Sequence, residues 1–219
     1  CPIRRDALPL EPMNILIAMP WDEATGGVGQ VVASLAHSMI ARGHQVLFLF
    51  PEEAWGVRHS ISRHGFNAIG CRLRTYPGEG AGVRSWLSWY STVLTSLPQL
   101  ARIAHEQKID LINLHYPGNG FALLVDLRRR LDIPLVVSVH GSDLLTDTGP
   151  AHGPGLTRLL RAADAVVTPS RVYLESVLNE YTDLGAKARH IYNGFDEAEV
   201  PPQVTGQGRS AGSKPVAVC

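Results

Sequence analysis

Cysteine is scarce in this sequence of 219 residues. The three cysteines, Cys1, Cys71 and Cys219, are odd in number, lie far apart and lack the spacing of metal ligands. Disulfide scaffolds and zinc modules place cysteines in pairs or clusters at short spacing, so the sequence excludes both classes. Scarce, unpaired cysteine is typical of a reducing compartment, and we expect a cytoplasmic protein.

Long hydrophobic runs and an excess of one charge are also missing. No apolar stretch approaches the roughly 20 residues of a membrane-spanning helix. The first 12 residues are too short and too rich in proline for the apolar region of a signal peptide. Twenty basic and twenty acidic residues give a formal net charge of zero. A non-specific nucleic-acid binder uses a diffuse basic field, so no nucleic-acid partner is expected.

Several catalytic signatures are absent. The sequence has no Cys–His pairing and no acidic cluster suited to a metal. The glycines at 26–29 lack the Lys-Ser/Thr pair of a Walker loop, and the third glycine of a dinucleotide fingerprint falls on Val32. A hydride-transfer enzyme stays an alternative because Glu52 and Glu53 follow the second strand at the distance of a ribose-binding acid. We expect no metal ion and no other cofactor.

The sequence does contain an alternation of short β-rich runs and longer amphipathic segments. The predicted strands cover residues 14–19, 45–50, 68–76, 110–115, 134–139, 164–168 and 189–192. The predicted helices cover residues 31–40, 83–107, 120–131, 154–162 and 171–181. Continuous apolar runs are typical of strands buried on both faces of a parallel sheet. The pattern therefore predicts a doubly wound, mostly parallel α/β sheet.

Two details of this pattern concern helix boundaries. Pro98 is expected to split or kink the helix over 83–107, because proline removes a backbone hydrogen bond. Ser170 is placed to cap the helix over 171–181. The residue three positions later is Tyr173 and not Glu or Gln, so the capping box is incomplete.

The chain is expected to form one large domain followed by a short remainder. Its predicted parts are an N-terminal tail (1–12), the domain (13–196), a linker (197–213) and a strand stub (214–219). The linker contains two prolines and three glycines and has no periodicity. The stub is an apolar run with no turn after it, so we expect it to begin a further domain.

Glycines follow the first predicted strand. Gly26, Gly27 and Gly29 allow backbone N–H groups to approach a ligand closely at the positive end of the next helix. This arrangement predicts a site for an anion or a sugar hydroxyl. A tight turn without a ligand is the alternative.

A histidine ends the strand predicted over 134–139. His140 can bond a sugar hydroxyl or a backbone carbonyl, and its charge is tunable near neutral pH. Gly141 allows a sharp turn, and Ser142 and Asp143 add a hydroxyl and a carboxylate within reach. A purely structural histidine stays the alternative.

Two other strand ends carry candidate ligands. His115 follows the strand over 110–114, and Asn193-Gly194 is a turn signal after the last strand. Ligands of doubly wound sheets bind at the carboxyl ends of the strands, near the topological switch point. Both positions therefore point to the same cleft, with packing and turn formation as the alternatives.

Six segments in sequence order resemble the N-terminal domain of a family 4 retaining glycosyltransferase of the GT-B fold. They are GGVG at 26–29, ARGHQV at 41–46, DLINLH at 110–115, VSVHGSD at 137–143, ADAVVTPS at 163–170 and IYNGFD at 191–196. Each segment alone is weakly specific, and the six in order are much more so. The resemblance implies a Rossmann-like domain, the N-terminal half of a GT-B architecture whose C-terminal domain is missing here.

The resemblance also implies a function. Such enzymes transfer a sugar from a nucleotide-sugar donor to an acceptor, here a carbohydrate or a lipid-linked one, and need no divalent metal. His140 would contact the transferred sugar as the catalytic residue. The glycine loop would lie near the donor phosphates and the acceptor, and Asn193-Gly194 would lead to the interdomain hinge. The resemblance implies no role for His115, Ser142 and Asp143, which are expected to bind the substrate because of their positions after the strands.

The missing half has a consequence for activity. The basic residues that neutralise the donor diphosphate, and the paired glutamates near the donor, would belong to the C-terminal domain. Electrostatic stabilisation is usually the largest catalytic term. We therefore expect the isolated chain not to catalyse transfer.

Other functions remain open. The fold could serve as a non-catalytic module that binds a sugar or a partner, or as a nucleotide-sugar epimerase of the GT-B type. An epimerase would need a fuller set of acid/base carboxylates than Asp22, Glu23 and Asp143. For one group of aromatic and basic residues, the alternatives are a peripheral membrane contact or core packing and solvation. This group consists of Trp86, Trp89, Tyr90, Arg72, Arg74 and Arg84.

Overall fold

A computed structural model describes residues 11–22, 27–141, 143–146, 149–150 and 153–193. The strands are β1 (Asn14–Ala18), β2 (Gln45–Pro51), β3 (Val57–Ile61), β4 (Asn67–Cys71), β5 (Leu111–His115), β6 (Leu135–Ser138), β7 (Leu145–Thr146), β8 (Gly149–Pro150), β9 (Ala165–Thr168) and β10 (Ala188–His190). The α-helices are α1 (Gly27–Ala41), α2 (Val83–Glu106), α3 (Leu123–Leu131), α4 (Pro154–Ala162) and α5 (Arg171–Glu180). The predicted tail up to residue 10, the linker, the stub and the site residues Gly26, Ser142 and Gly194 lie outside the described residues.

Eight strands form one sheet in the order β10-β9-β6-β5-β1-β2-β4-β3. Neighbouring strands are parallel except at the β3–β4 edge, and β7 and β8 form a separate antiparallel pair. From β1 the chain moves to β2 on one side, and it later returns to β5 on the other side. The predicted doubly wound, mostly parallel sheet is confirmed, with its switch point between β1 and β5.

Alternating residues of the strands divide the core into two layers. In β1, Leu16 and Ala18 pack with α2, α3, α4 and α5 in the larger cluster, whereas Ile15 and Ile17 pack with α1 in the smaller one. This division follows from the two-residue period of a strand, which sends successive side chains to opposite faces. Helix α1 therefore covers one face, and the other four helices cover the opposite face.

One prediction about the elements is wrong. No strand was predicted over residues 51–67, but they contain β3, an edge strand with four of its five residues exposed, so no alternating apolar pattern marked it. At Pro98 a split or a kink was expected, and the split does not occur because helix α2 continues through this residue. Proline leaves the carbonyl four residues earlier without its N–H donor. Since Leu94 lies on the exposed side, at 75% exposure, solvent can satisfy that carbonyl.

One local prediction is confirmed, and one cysteine is placed. The hydroxyl of Ser170 caps α5 by accepting a hydrogen bond from the N–H of Tyr173 at 3.1 Å. Cys71 is buried with a free thiol, and burial, followed by the charge of Glu52, raises its pKa to about 12. A protonated, inaccessible thiol is a core side chain and not a nucleophile.

Candidate active site

The turn after β6 carries the predicted catalytic histidine. His140 leads into Gly141, which has a φ of +140°, a backbone conformation that side chains rarely adopt. The buried carboxylate of Asp143 accepts hydrogen bonds from the N–H of His140 at 2.9 and 3.0 Å and from that of Gly141 at 2.7 Å. The carboxylate thus fixes the backbone that carries the imidazole of His140.

Asp143 is engaged mainly by its own turn. Burial raises the pKa of this carboxyl, and the backbone N–H groups of His140, Gly141 and Leu144 oppose that effect. With its oxygens held by backbone donors, this geometry favours a structural role for Asp143. Its predicted contact with a substrate hydroxyl stays a prediction.

His140 and His115 form a direct pair. Nδ1 of His115 lies 3.1 Å from Nε2 of His140, and the two ring centroids are 5.3 Å apart. The pair forms because β5 and β6 are neighbouring parallel strands, with His115 opposite Ser138, so both histidines reach the same edge of the sheet. No sequence pattern relates two residues 25 positions apart in this way.

Burial keeps both imidazoles neutral near pH 7. It lowers the pKa of His115 to about 3, with a smaller contribution from His140, and it also lowers the pKa of His140. Between two neutral rings one nitrogen donates and the other accepts. The pair therefore uses Nε2 of His140 and leaves its Nδ1 as the ring nitrogen that could bond a ligand.

The other ring nitrogen of His115, Nε2, is buried. Within the described part of the chain, the buried Nε2 of His115 has no hydrogen-bond partner. A buried polar atom without a partner costs free energy, of the order of 1–3 kcal/mol. A buried polar atom that lacks a partner, at a residue that contacts His140, is typical of a functional site.

The glycine loop follows β1, the strand that neighbours β5 and its His115. Gly27 opens α1 and is exposed, a Cβ there would meet no atom within 4 Å, and Gly29 is buried in the same first turn. The first N–H groups of a helix have no partner within it and can meet an anion. Strands β1 and β6 are separated by β5 alone, so their carboxyl ends lie about 10 Å apart.

Two aromatic rings lie at the switch point between β1 and β5. The ring of Trp21, after β1, meets the ring of Tyr116, after β5, edge-on with centroids 4.7 Å apart. The carboxylate of Asp22 accepts a hydrogen bond from the backbone N–H of Arg63 at 2.9 Å and ties this loop to the body of the domain. The sequence patterns assign no role to these two rings, because their contact depends on the order of the strands.

A cavity of about 1190 Å³ opens between α1 and the strands β5, β6 and β9. It brings together three predicted site residues, His115, His140 and Asn193, and its polar wall also includes Ser138 and Thr168. Gly27, Gly29 and Asp143 are not among its lining residues. The predicted residues therefore form a polar cavity wall and, beside it, a helix start.

Tyr173 is a site residue that no motif marks. Its hydroxyl donates a hydrogen bond to the carbonyl of Gly141 at 2.5 Å. The signal available in the sequence is its position three residues after Ser170, where a capping box has an acid or an amide. An aromatic residue there frees the side chain to reach across to the turn of His140.

The described residues provide neither a cluster of metal ligands nor a membrane-spanning helix. In that part of the chain, no group of three or more histidine, cysteine, aspartate or glutamate side chains could hold a metal ion. None of the helices described there combines the length and apolarity that crossing a bilayer requires.

Comparison with known proteins places these features in a family. A family model described as Glycosyltransferase Family 4 matches residues 25–199, which include the turn of His140 and all of α1. No curated protein sequence matches the chain.

Solved structures share the fold at low sequence identity. The Anabaena protein Alr3699/HepE in complex with UDP is 18% identical with a TM-score of 0.51, over 84% of this chain and 45% of that one. An alpha-glucosyltransferase in complex with UDP and a 13-mer DNA containing an HMU base is 15% identical with a TM-score of 0.54, over 85% and 44%. A UDP-GlcNAc 2-epimerase from Methanocaldococcus jannaschii is 10% identical with a TM-score of 0.51, over 83% and 46%. The chain thus spans less than half the length of these three proteins.

Proposed function

The chain belongs to glycosyltransferase family 4, and on that premise we propose that it is the acceptor-side half of a retaining glycosyltransferase. The substrates are a nucleotide sugar and a carbohydrate or lipid-linked acceptor. The bond between the anomeric carbon and the donor diphosphate breaks, and the acceptor oxygen bonds that carbon on the same face. The acceptor proton leaves with the diphosphate.

The position of His140 carries this proposal. Its imidazole is fixed at the carboxyl end of β6 by His115 and by the Asp143 turn, and burial keeps it neutral by lowering its pKa. A neutral ring cannot neutralise a diphosphate, but its Nδ1 can exchange a hydrogen bond with a sugar hydroxyl. His140 is therefore the residue that contacts the transferred sugar, and the glycine loop faces the phosphates.

The charge that stabilises the leaving diphosphate comes from elsewhere. Arg42 is the one arginine or lysine among the described residues that line the cavity, and its guanidinium donates to the carbonyl of Ser38 in its own helix. A leaving diphosphate needs preorganised positive charge, usually the largest catalytic contribution. The donor-side domain supplies it, and the isolated chain is inactive.

Epimerisation ranks below transfer. One similar fold is a 2-epimerase, but an epimerase needs carboxyl groups that are available for proton transfer. Both candidate carboxylates in the described residues are engaged, Asp22 with the N–H of Arg63 and Asp143 with its own turn. A non-catalytic module that binds a sugar would use the same cavity without any turnover.

A transfer assay tests the proposal. Radiolabelled nucleotide sugars, UDP-sugars first, are incubated with carbohydrate and lipid-linked acceptors. The enzyme is either the isolated chain or the chain joined to a C-terminal, donor-side domain of the GT-B fold. We expect turnover only in the joined form, with retained configuration by NMR and no loss in EDTA.

Each opposite result has a specific meaning. Turnover by the isolated chain would contradict the division of charge between the two halves. An inverted product or loss of activity in EDTA would contradict the proposed mechanism. Tight sugar binding by the joined form without turnover would favour the non-catalytic module.

We also propose a peripheral membrane contact through α2. Its outward stripe is apolar, with Val83 76% exposed, Leu87 65%, Tyr90 54% and Leu94 75%. At spacings of four, three and four residues these side chains share one helical face about 17 Å long. Exposed apolar surface of this kind suits the boundary between lipid headgroups and acyl chains.

The three aromatic residues expected to act together in a membrane contact differ in their exposure. Trp89 is buried at 3% exposure, and Trp86 is half-buried against Tyr76. Of the arginines, Arg74 lies 3.7 Å from Glu53, and the guanidinium of Arg72 lies over the ring of Trp55. Arg84 is exposed in the first turn of α2. Apolar insertion by the α2 stripe, more than basic attraction, therefore carries the membrane proposal.

Vesicle co-sedimentation tests this contact. The chain is expected to sediment with vesicles containing anionic lipid at low salt, and the double change Leu87→Gln and Leu94→Gln is expected to release it. Ile61→Gln, at an exposed position on β3, is the matched control. Absence of the unmodified chain from the vesicle pellet at low salt would end the idea.

A further inference from the structure

Tyr173 connects helix α5 to the turn of His140. Its hydroxyl donates a hydrogen bond to the carbonyl of Gly141 at 2.5 Å, across 32 positions of sequence. Gly141 is the residue directly after His140 and has the positive φ that gives the turn its shape. A bond to this carbonyl therefore acts on the peptide unit next to the catalytic residue.

Two hydrogen bonds fix the start of α5, where Tyr173 lies. The N–H of Tyr173 donates to the hydroxyl of Ser170 at 3.1 Å, and the hydroxyl of Thr168 donates to the carbonyl of Ser170 at 3.0 Å. Thr168 ends β9, which pairs in parallel with β6. The start of α5 is thus fixed to the strand beside the one that carries His140.

The turn is held from both sides by different groups. Asp143 accepts its N–H donors, and Tyr173 donates to its carbonyl. Burial, then the negative charge of Asp143 and a hydrogen bond to its carboxylate, raises the pKa of Tyr173 above its ordinary value, so the hydroxyl keeps its proton and stays a donor. The carbonyl of Gly141 also accepts a hydrogen bond from the N–H of Leu144 at 3.1 Å. Loss of the tyrosine hydroxyl would therefore leave this carbonyl with the donor of its own turn and remove its link to α5.

We propose that Tyr173 is a positioning residue for His140, which acts by fixing the Gly141 peptide so that the imidazole presents one ring nitrogen to the substrate. The substrate part of this inference rests on the proposed function. The contact between Tyr173 and the His140 turn stands on geometry alone. Tyr173 touches neither the sugar nor the phosphate in this scheme.

Histidine NMR on the isolated chain tests the proposal. Long-range ¹H–¹⁵N spectra report the tautomer and the pKa of His140 in the unmodified chain, in Tyr173→Phe and in Tyr90→Phe. The titratable groups around the turn are His115 from β5, Asp143 within the turn and Tyr173 from α5. Tyr90→Phe removes the same hydroxyl from an exposed site on α2 and serves as the control.

In the unmodified chain and in Tyr90→Phe, we expect one dominant tautomer of His140 and a pKa below its ordinary value. In Tyr173→Phe the pKa of His140 is expected to rise by about 0.5 as water enters a loosened turn, with mixed tautomers. Circular dichroism establishes that each variant is folded. A folded Tyr173→Phe chain with an unchanged His140 spectrum would overturn the proposal.

A second variant covers the case in which Tyr173→Phe does not fold. Ser170→Ala keeps the tyrosine hydroxyl but loosens its anchor, so a smaller change of His140 in the same direction is expected. An unchanged His140 in a folded Ser170→Ala chain would then overturn the proposal. These readouts need no substrate, so they separate a failure of this inference from a failure of the proposed transfer reaction.

Discussion

The two faces of the sheet differ in what covers them and in what they carry. On the face of α2, α3, α4 and α5, the central strands contribute Leu114, Val137 and Val166, all buried in a continuous apolar core. On the other face, α1 packs with β1, β2 and β4, while β5, β6 and β9 line the cavity. There the same strands present polar side chains such as His115 and Ser138.

This difference shows how the domain separates stability from chemistry. A strand sends alternate residues to opposite faces, so one short segment can supply both a core side chain and a site side chain. The closed face buries apolar area that stabilises the fold. The open face keeps polar groups instead, and one of them, His115, has a buried ring nitrogen without a hydrogen-bond partner among the described residues.

The largest expected effect is the loss of stability when the same leucine-to-alanine change is made on each face of the sheet. Leu124→Ala removes a fully buried side chain of the closed face, and a loss of about 2–5 kcal/mol in the free energy of unfolding is expected. Leu35→Ala removes the same atoms from α1 beside the existing cavity, and a loss below about 1.5 kcal/mol is expected. Urea unfolding measures both, and equal losses would contradict the comparison.

A pH titration of stability sharpens the position of His115, which is buried although it belongs to the open face. Its pKa is lowered from 6.5 in the unfolded chain to about 3 in the folded one. Below 6.5 the unfolded chain binds the proton first, so stability is fully present above that pH and is lost as pH falls toward 3. The unmodified chain should lose about 2 kcal/mol more than His115→Asn between pH 7 and pH 5.

Two features of that measurement isolate His115. The raised pKa of Asp143 acts in the opposite direction, but it is common to both chains and cancels in the difference. His59→Asn, at an exposed position on β3, should keep the pH dependence of the unmodified chain. Parallel curves for the unmodified chain and His115→Asn would show that His115 is not buried as described.

The smallest effect concerns the cap that anchors α5 on the closed side. Ser170→Ala removes the acceptor for the N–H of Tyr173, and a loss of about 1 kcal/mol in the free energy of unfolding is expected. Ser85→Ala, at an exposed position in the first turn of α2, should change stability by less than about 0.5 kcal/mol. Equal urea midpoints for the unmodified chain and Ser170→Ala would show that the cap does not contribute to stability.

Much of the fold could be predicted from the sequence, because buried parallel strands are continuous apolar runs. The runs at 14–19 and 45–50 correspond to β1 and β2, and the ordered motifs gave the family. Edge strand β3 could not be predicted, since its exposed residues carry no apolar pattern. The split that was one of two outcomes expected at Pro98 did not occur, because the cost of proline depends on whether solvent reaches the carbonyl that loses its N–H donor.

The site was predicted only in part. Turn chemistry marked His140 and Asp143, and strand ends marked His115 and Asn193 as single residues. The contact between two histidines and the reach of Tyr173 to Gly141 depend on which strands become neighbours. Local sequence contains no information on that order, so these links emerge only from the assembled sheet.

The central claim, that His140 handles the transferred sugar, is tested most directly by kinetics of the chain joined to its donor-side domain. His140→Ala should lower kcat by about 100-fold or more while the protein stays folded. The exposed control His59→Ala should keep the unmodified value. A kcat for His140→Ala within a few-fold of the unmodified enzyme would contradict the account.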